Sequence, residues 1–154
     1  MTSAVRFGHV NIIARDWRAL SAFYEQALGC TREGAGPERD LSGNWLDRAT
    51  SIKNAHITGI HLILPGYEEN LPTLEIFQYE KNEENPNART NRKGFGHIAF
   101  KVDDVQEILK KVLLNGGIQV GELVESEIKN AGTVTFVYVR DIDGNIIELQ
   151  SWKK

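Results

Sequence analysis

Apolar and polar residues alternate over positions 6–13, so that Val10 and Ile12 fall on one side of an extended segment and Phe7, His9 and Asn11 on the other. Beyond Asp16 the period changes. Trp17, Leu20, Phe23, Ala27 and Leu28 recur at helical spacing, which predicts a helix capped by Asp16 and stopped by Gly29. Residues 30–55 hold no sustained period, being broken by Gly34, Gly36, Pro37 and Gly43. Within them Ser42 reads as the cap of a short helix whose face carries Trp45, Leu46, Ala49 and Ile52. Alternation returns at 56–64, where Ile60, Leu62 and Leu64 oppose Gly59, His61 and Ile63. Pro65-Gly66 and a polar turn through Asn70 lead to a strand at 73–79, in which Leu74 and Ile76 oppose Glu75 and Phe77.

The opening then repeats. Phe7-Gly8-His9-Val10-Asn11-Ile12 has its counterpart in Phe95-Gly96-His97-Ile98-Ala99-Phe100, 88 positions later. Asp103 or Asp104 is placed to cap a helix carrying Val105, Ile108, Leu109, Val112 and Leu113, which ends at Asn115-Gly116-Gly117. Strands are predicted at 119–125 and 133–140, and the turn Asp141-Ile142-Asp143-Gly144 leads into a last strand at 145–152. The closing segments match too: Leu74-Glu75-Ile76-Phe77 ends the first copy and Ile147-Glu148-Leu149-Gln150 the second. The chain therefore divides into a first β-α-β-β-β module at 1–80 with an insert at 30–55, a polar linker at 81–94, and a second module at 95–154. The fold class is α+β. From histidine to glutamate the first copy spans 66 positions and the second 51, the difference lying mostly in the insert, which is placed to act as a lid or pocket wall.

Strand parity puts His9, Glu75, His97 and Glu148 each on the face opposite the apolar row. A strand histidine by itself is more often hydrogen-bonded than metal-bound, and a strand glutamate is usually solvated. Here both types recur at equivalent places, and two modules packed about a pseudo-twofold axis would bring the pairs to one point. Two imidazoles, two carboxylates and no thiolate suit one hexacoordinate divalent ion, with Zn, Ni, Co, Mn and Fe all compatible.

A formal net charge of −3 with no Lys/Arg run argues against a nucleic-acid surface. No stretch has the length and apolarity of a membrane span or of a secretory leader, and one cysteine, Cys30, makes no internal disulfide. The expectation is a cytoplasmic protein without membrane or nucleic-acid partners.

The Gly-His-aliphatic openings, the paired β-α-β-β-β patterns, the Asp-Ile-Asp-Gly-Asn turn and the closing Ile-Ile-Glu-Leu resemble the vicinal oxygen chelate superfamily, which includes glyoxalase I, methylmalonyl-CoA epimerase, extradiol dioxygenases and bleomycin-type resistance proteins. The resemblance spans nearly the whole chain. It implies a cupped eight-stranded mixed sheet with helices on its outer face, a homodimer, and a metal held by His9, Glu75, His97 and Glu148. Keeping all four ligands points to a metal-dependent lyase or isomerase acting on a small-molecule substrate, in which Glu148, or failing it Glu75, takes a proton beside a chelated carbonyl. A small-molecule-binding or resistance protein and a ring-cleaving dioxygenase are the alternatives. His61 stands about where some epimerases carry an acid/base carboxylate, so a catalytic role is implied for it, and its being histidine departs from the strict epimerase pattern. Trp45, Phe77, Phe95 and Phe7 are candidates to line the pocket.

Overall fold

A computed structural model describes residues 5–69, 71–84 and 88–153, so the turn predicted through Asn70 and the middle of the predicted linker lie outside the described residues. The chain is α+β and forms two β-α-β-β-β modules, each with its own four-stranded mixed sheet. They make up two compact units, residues 1–25 with 29–83 and residues 26–28 with 84–154.

The first module runs β1 (His9–Ile13), α1 (Trp17–Leu28), β2 (Arg39–Ser42), α2 (Asn44–Thr50), β3 (His56–Ile63) and β4 (Thr73–Tyr79). Its sheet has the order β1-β4-β3-β2, with β1 parallel to β4 and the other pairings antiparallel. Asp16 starts α1 as predicted, its carboxylate accepting from the backbone N–H groups of Arg18 and Ala19. Gly29 ends the helix at a φ of 71°, a left-handed turn that glycine adopts without strain. The α1 residues Trp17, Leu20, Phe23 and Tyr24 and the strand row Ile60, Leu62, Leu74 and Ile76 are all essentially without solvent contact. Each leucine, isoleucine or phenylalanine among them contributes about 1.5–3 kcal/mol by leaving water.

The reverse face of this sheet is divided. Register pairs Leu41 with Ile57, Ile57 with Tyr79, Gly59 with Phe77 and His61 with Glu75, so these residues share that face. At one end α2 lowers Leu46 onto a cluster with Ala55 and Ile57, flanked by Leu41, Phe77 and Tyr79. At the other end stand His9, His61 and Glu75. Between them Gly59 lets β4 come close: a Cβ there would lie 2.1 Å from the Ile76 carbonyl oxygen and 2.6 Å from the Phe77 ring.

The insert departs from its sequence pattern in two respects. Part of the region without a period is strand β2, and Ser42 is its last residue rather than a helix cap; Gly43 takes the cap position of α2, with no side-chain cap bond. Of the four residues assigned to one α2 face, Leu46 is buried, whereas Trp45, Ala49 and Ile52 are exposed, Ile52 lying beyond the helix, which ends at Thr50.

The second module runs β5 (Ile98–Lys101), α3 (Val105–Leu114), β6 (Ile118–Ile128), β7 (Gly132–Arg140) and β8 (Ile146–Lys153), in the sheet order β5-β8-β7-β6. Asp104 is the cap, accepting from the Glu107 N–H. Its core residues include Phe100, Val105, Val112, Val137, Val139, Ile147 and Leu149. The Asp141–Asn145 turn is tied by the Asp141 carboxylate, which accepts from the backbone N–H of Asp143 and Asn145 and from the Asn145 side chain. Among the described residues no helix is long and apolar enough to cross a membrane.

Candidate metal centre

In the first module parallel pairing sets Asn11 beside Glu75, and antiparallel pairing sets His61 on its other flank. Each neighbour meets a definite atom of the carboxylate. Glu75 Oε2 lies 3.1 Å from His9 Nε2 and 3.5 Å from His61 Nε2. Glu75 Oε1 accepts a 3.1 Å hydrogen bond from the Asn11 side-chain amide, which also donates to the Glu75 backbone carbonyl at 3.3 Å. The His61 ring is fixed on three sides: Nδ1 is 3.0 Å from the Thr73 hydroxyl, and the rings of His9 and Phe77 meet it edge to face at 5.6 and 5.8 Å. Burial lowers the pKa of His61, and Arg39 and His9 lower it further against the opposing pull of Glu75, so its neutral form is favoured.

The second module repeats the motif with two substitutions. His97 Nε2 is 2.9 Å from Glu148 Oε2, although His97 stands just before β5 rather than within it. Opposite Glu148, at the place His61 holds opposite Glu75, stands Tyr138, whose ring meets His97 at 5.2 Å. Burial, aided by Glu148, raises the pKa of that phenol and keeps it protonated. Where Asn11 holds Glu75, the residue beside Glu148 is Ala99, which offers no donor.

Within each module the predicted histidine and glutamate are thus in contact, and His61 joins the first pair, the donor atoms of His9, His61 and Glu75 all lying within 4.8 Å of one another. Of the four pocket aromatics expected, Phe77 borders His61, whereas Phe7, Trp45 and Phe95 are exposed. Asn11, Thr73 and Tyr138 were missed as site residues. His56 is partly buried, paired with Asp40 at 2.7 Å and near Glu80 at 3.6 Å. Cys30 is buried and its thiol is pushed up to about 12, mainly by that burial, so it is inert as a nucleophile.

The donor chemistry fits a divalent cation. Two donors bound side by side to one ion at about 2.1 Å stand about 3 Å apart, as the His9–Glu75 and His97–Glu148 atoms already do. Imidazole and carboxylate without thiolate suit Zn, Ni, Co, Mn or Fe.

A fold of paired β-α-β-β-β modules, each presenting a histidine and a glutamate on one sheet face, defines a scaffold of the vicinal oxygen chelate type. The chain belongs to the Glyoxalase/Bleomycin resistance protein/Dioxygenase superfamily, whose family model matches residues 6–149. No curated protein matches its sequence. Among solved structures it is similar to a glyoxalase family protein from Bacillus cereus, with 20% identity, a TM-score of 0.82 and coverage of 99% of this chain and 97% of that one. It also resembles a glyoxalase/bleomycin resistance protein/dioxygenase domain from Frankia sp. EAN1pec, with 16% identity, a TM-score of 0.61 and coverage of 98% and 100%. A third likeness is to the genomically encoded fosfomycin resistance protein of Listeria monocytogenes, solved with Mn(II) and sulfate, with 13% identity, a TM-score of 0.52 and coverage of 99% and 95%. At these identities the likeness is one of fold.

Proposed function

We propose that this chain is a divalent-metal-dependent lyase or isomerase of the glyoxalase I or epimerase kind, removing a proton next to a carbonyl of a small-molecule substrate. The observation that carries the reading is the repeated histidine–glutamate contact, made at equivalent register positions in both modules. His9, Glu75, His97 and Glu148 would hold the ion, and the working protein is a homodimer. A divalent ion supplies Lewis-acid stabilisation of the negative charge that develops on a carbonyl oxygen when the neighbouring C–H is broken.

The surroundings of the two glutamates divide their duties. Glu75 is held by Asn11 on one oxygen and faced by two imidazoles on the other, so it has little freedom to leave its place. Glu148 is adjoined by Ala99 and contacts His97, so it can turn toward a substrate C–H and take its proton. On this reading Glu148 is the general base and Glu75 the fixed ligand.

The test is an activity screen of metal-reconstituted protein against thiol adducts of 2-oxoaldehydes and against 2-substituted acyl thioesters. At saturating metal, Glu148→Gln is expected to lower kcat by about 10²–10⁴-fold, the usual worth of a positioned acid or base. No bound divalent ion, together with small-molecule binding unchanged by His97→Ala, would replace this reading with a binding or resistance protein. Oxygen consumption with iron and catechol-like compounds would replace it with ring cleavage.

A further inference from the structure

We propose that His61 is itself a metal ligand, so that the first module carries a complete three-donor site, His9, His61 and Glu75. The inference rests on the metal-dependent reading above and extends its ligand set. Three observations carry it.

The first is aim. His61 Nε2 and His9 Nε2 face the same oxygen of Glu75, at 3.5 and 3.1 Å, near the separation of about 3 Å that donors sharing an ion adopt. The second is support. Ligand histidines characteristically donate their other ring N–H to a fixed oxygen, which sets the tautomer and leaves the second nitrogen's lone pair pointing at the ion. His61 has such a partner in the Thr73 hydroxyl at 3.0 Å, and Glu75 has the equivalent in the Asn11 amide at 3.1 Å. The third is contrast between the copies. The position matching His61 is Tyr138, a neutral phenol and a poor ligand, and the position matching Asn11 is Ala99. The supporting groups are concentrated in the module that has the extra imidazole.

The ligand set orders the two modules. The first would hold an ion with two imidazoles and one carboxylate of its own. It also separates His61 from proton transfer, because a nitrogen whose lone pair is shared with an ion is not available as a base.

Long-range ¹H–¹⁵N spectra of the full-length protein with ¹⁵N-labelled histidine distinguish both ring nitrogens of its four histidines, assigned through His→Gln variants. Zn(II) is the probe, added to protein stripped with a chelator. The expected result is that the Nε2 signals of His9, His61 and His97 move to the metal-bound position while His56 does not, and that His61 Nδ1 keeps its proton. Competition titration against a chromophoric chelator should show Thr73→Val weakening Zn(II) affinity by about 10–100-fold, the usual effect of removing such a supporting group, with Tyr138→Phe near wild type. A His61 signal that stays put while His9 moves overturns the inference, and so does a failure of Zn(II) to move any histidine. A His97 signal that stays put while His9 and His61 move overturns convergence of the two modules on one ion and leaves this inference standing.

Discussion

Gly59→Ala tests whether the meeting of β3 and β4 at one glycine sets the geometry of the metal centre. The added Cβ would lie 2.1 Å from the Ile76 carbonyl oxygen, 2.6 Å from the Phe77 ring and 2.9 Å from the Phe77 Cα. Two of these atoms are main chain, so no side-chain rotation relieves them. Ordinary contacts fall at about 3.5–4.0 Å, so β4 would have to retreat by about 1 Å or more. Overpacking of this kind costs about 3 kcal/mol, the upper part of its usual range, which for a chain of this length lowers Tm by about 6–12 °C. The retreat moves Phe77, whose ring buttresses His61, and pulls Glu75, two residues along the same strand, away from its partner. Metal affinity should therefore fall together with stability. The control is Gly8→Ala, where nothing lies within 4 Å of the added carbon; its stability should stay within about 0.5 kcal/mol of wild type. Urea melts and chelator competition on the two variants make the measurement. A Gly59→Ala protein as stable as the Gly8→Ala control would refute the steric argument.

Three further outcomes follow from local features. Asp16→Ala removes a carboxylate that satisfies two backbone N–H groups of α1 and should cost about 0.5–2 kcal/mol in urea denaturation. Cys30, buried with its thiol raised to about 12, should react with an aromatic disulfide reagent at mildly alkaline pH only as the protein unfolds; rapid stoichiometric reaction of native protein would contradict its burial. His56 has its pKa raised, chiefly by the hydrogen bond to Asp40, so the folded state holds the proton more tightly than the unfolded chain. That contribution is fully present below about pH 6.5, the unfolded value, and is lost as pH rises through the folded pKa. The urea midpoints of wild type and His56→Gln should accordingly differ in acid and converge in alkali, and a gap that widens in alkali would contradict the pairing.

What could be read from the sequence was whatever leaves a local periodic trace. The parity of Val10 and Ile12 against His9, and of Ile147 and Leu149 against Glu148, was enough to put histidine and glutamate on the face opposite the core, where contact between them followed once the strands paired. Asp16 and Gly29 announced α1 by their own chemistry. β2 left no such trace: Arg-Asp-Leu-Ser holds one apolar residue, Leu41, and is a strand only because β3 lies beside it. Tyr138 was hidden for the opposite reason. β7 carries apolar or aromatic residues on both faces, so alternation does not reveal which of them faces Glu148, and only the register with β8 does. The roles of Asn11 and Thr73 likewise depend on distances between strands that no single stretch of sequence encodes.

The strands that bring His9 and His97 to their glutamates, β1 at 5 residues and β5 at 4, are short and form an outer edge of their sheets. Both join their partners in parallel, by a connection far longer than a hairpin, with 66 positions separating His9 from Glu75. Closing such a loop is entropically dear, and a short outer strand is where a sheet unzips most readily. A cation shared between His9 and Glu75 would act there as a clasp, fastening one margin of the module to β4 in its middle. Chemistry and architecture would then lean on the same two side chains, the ion drawing the edge shut and the closed edge presenting the ion.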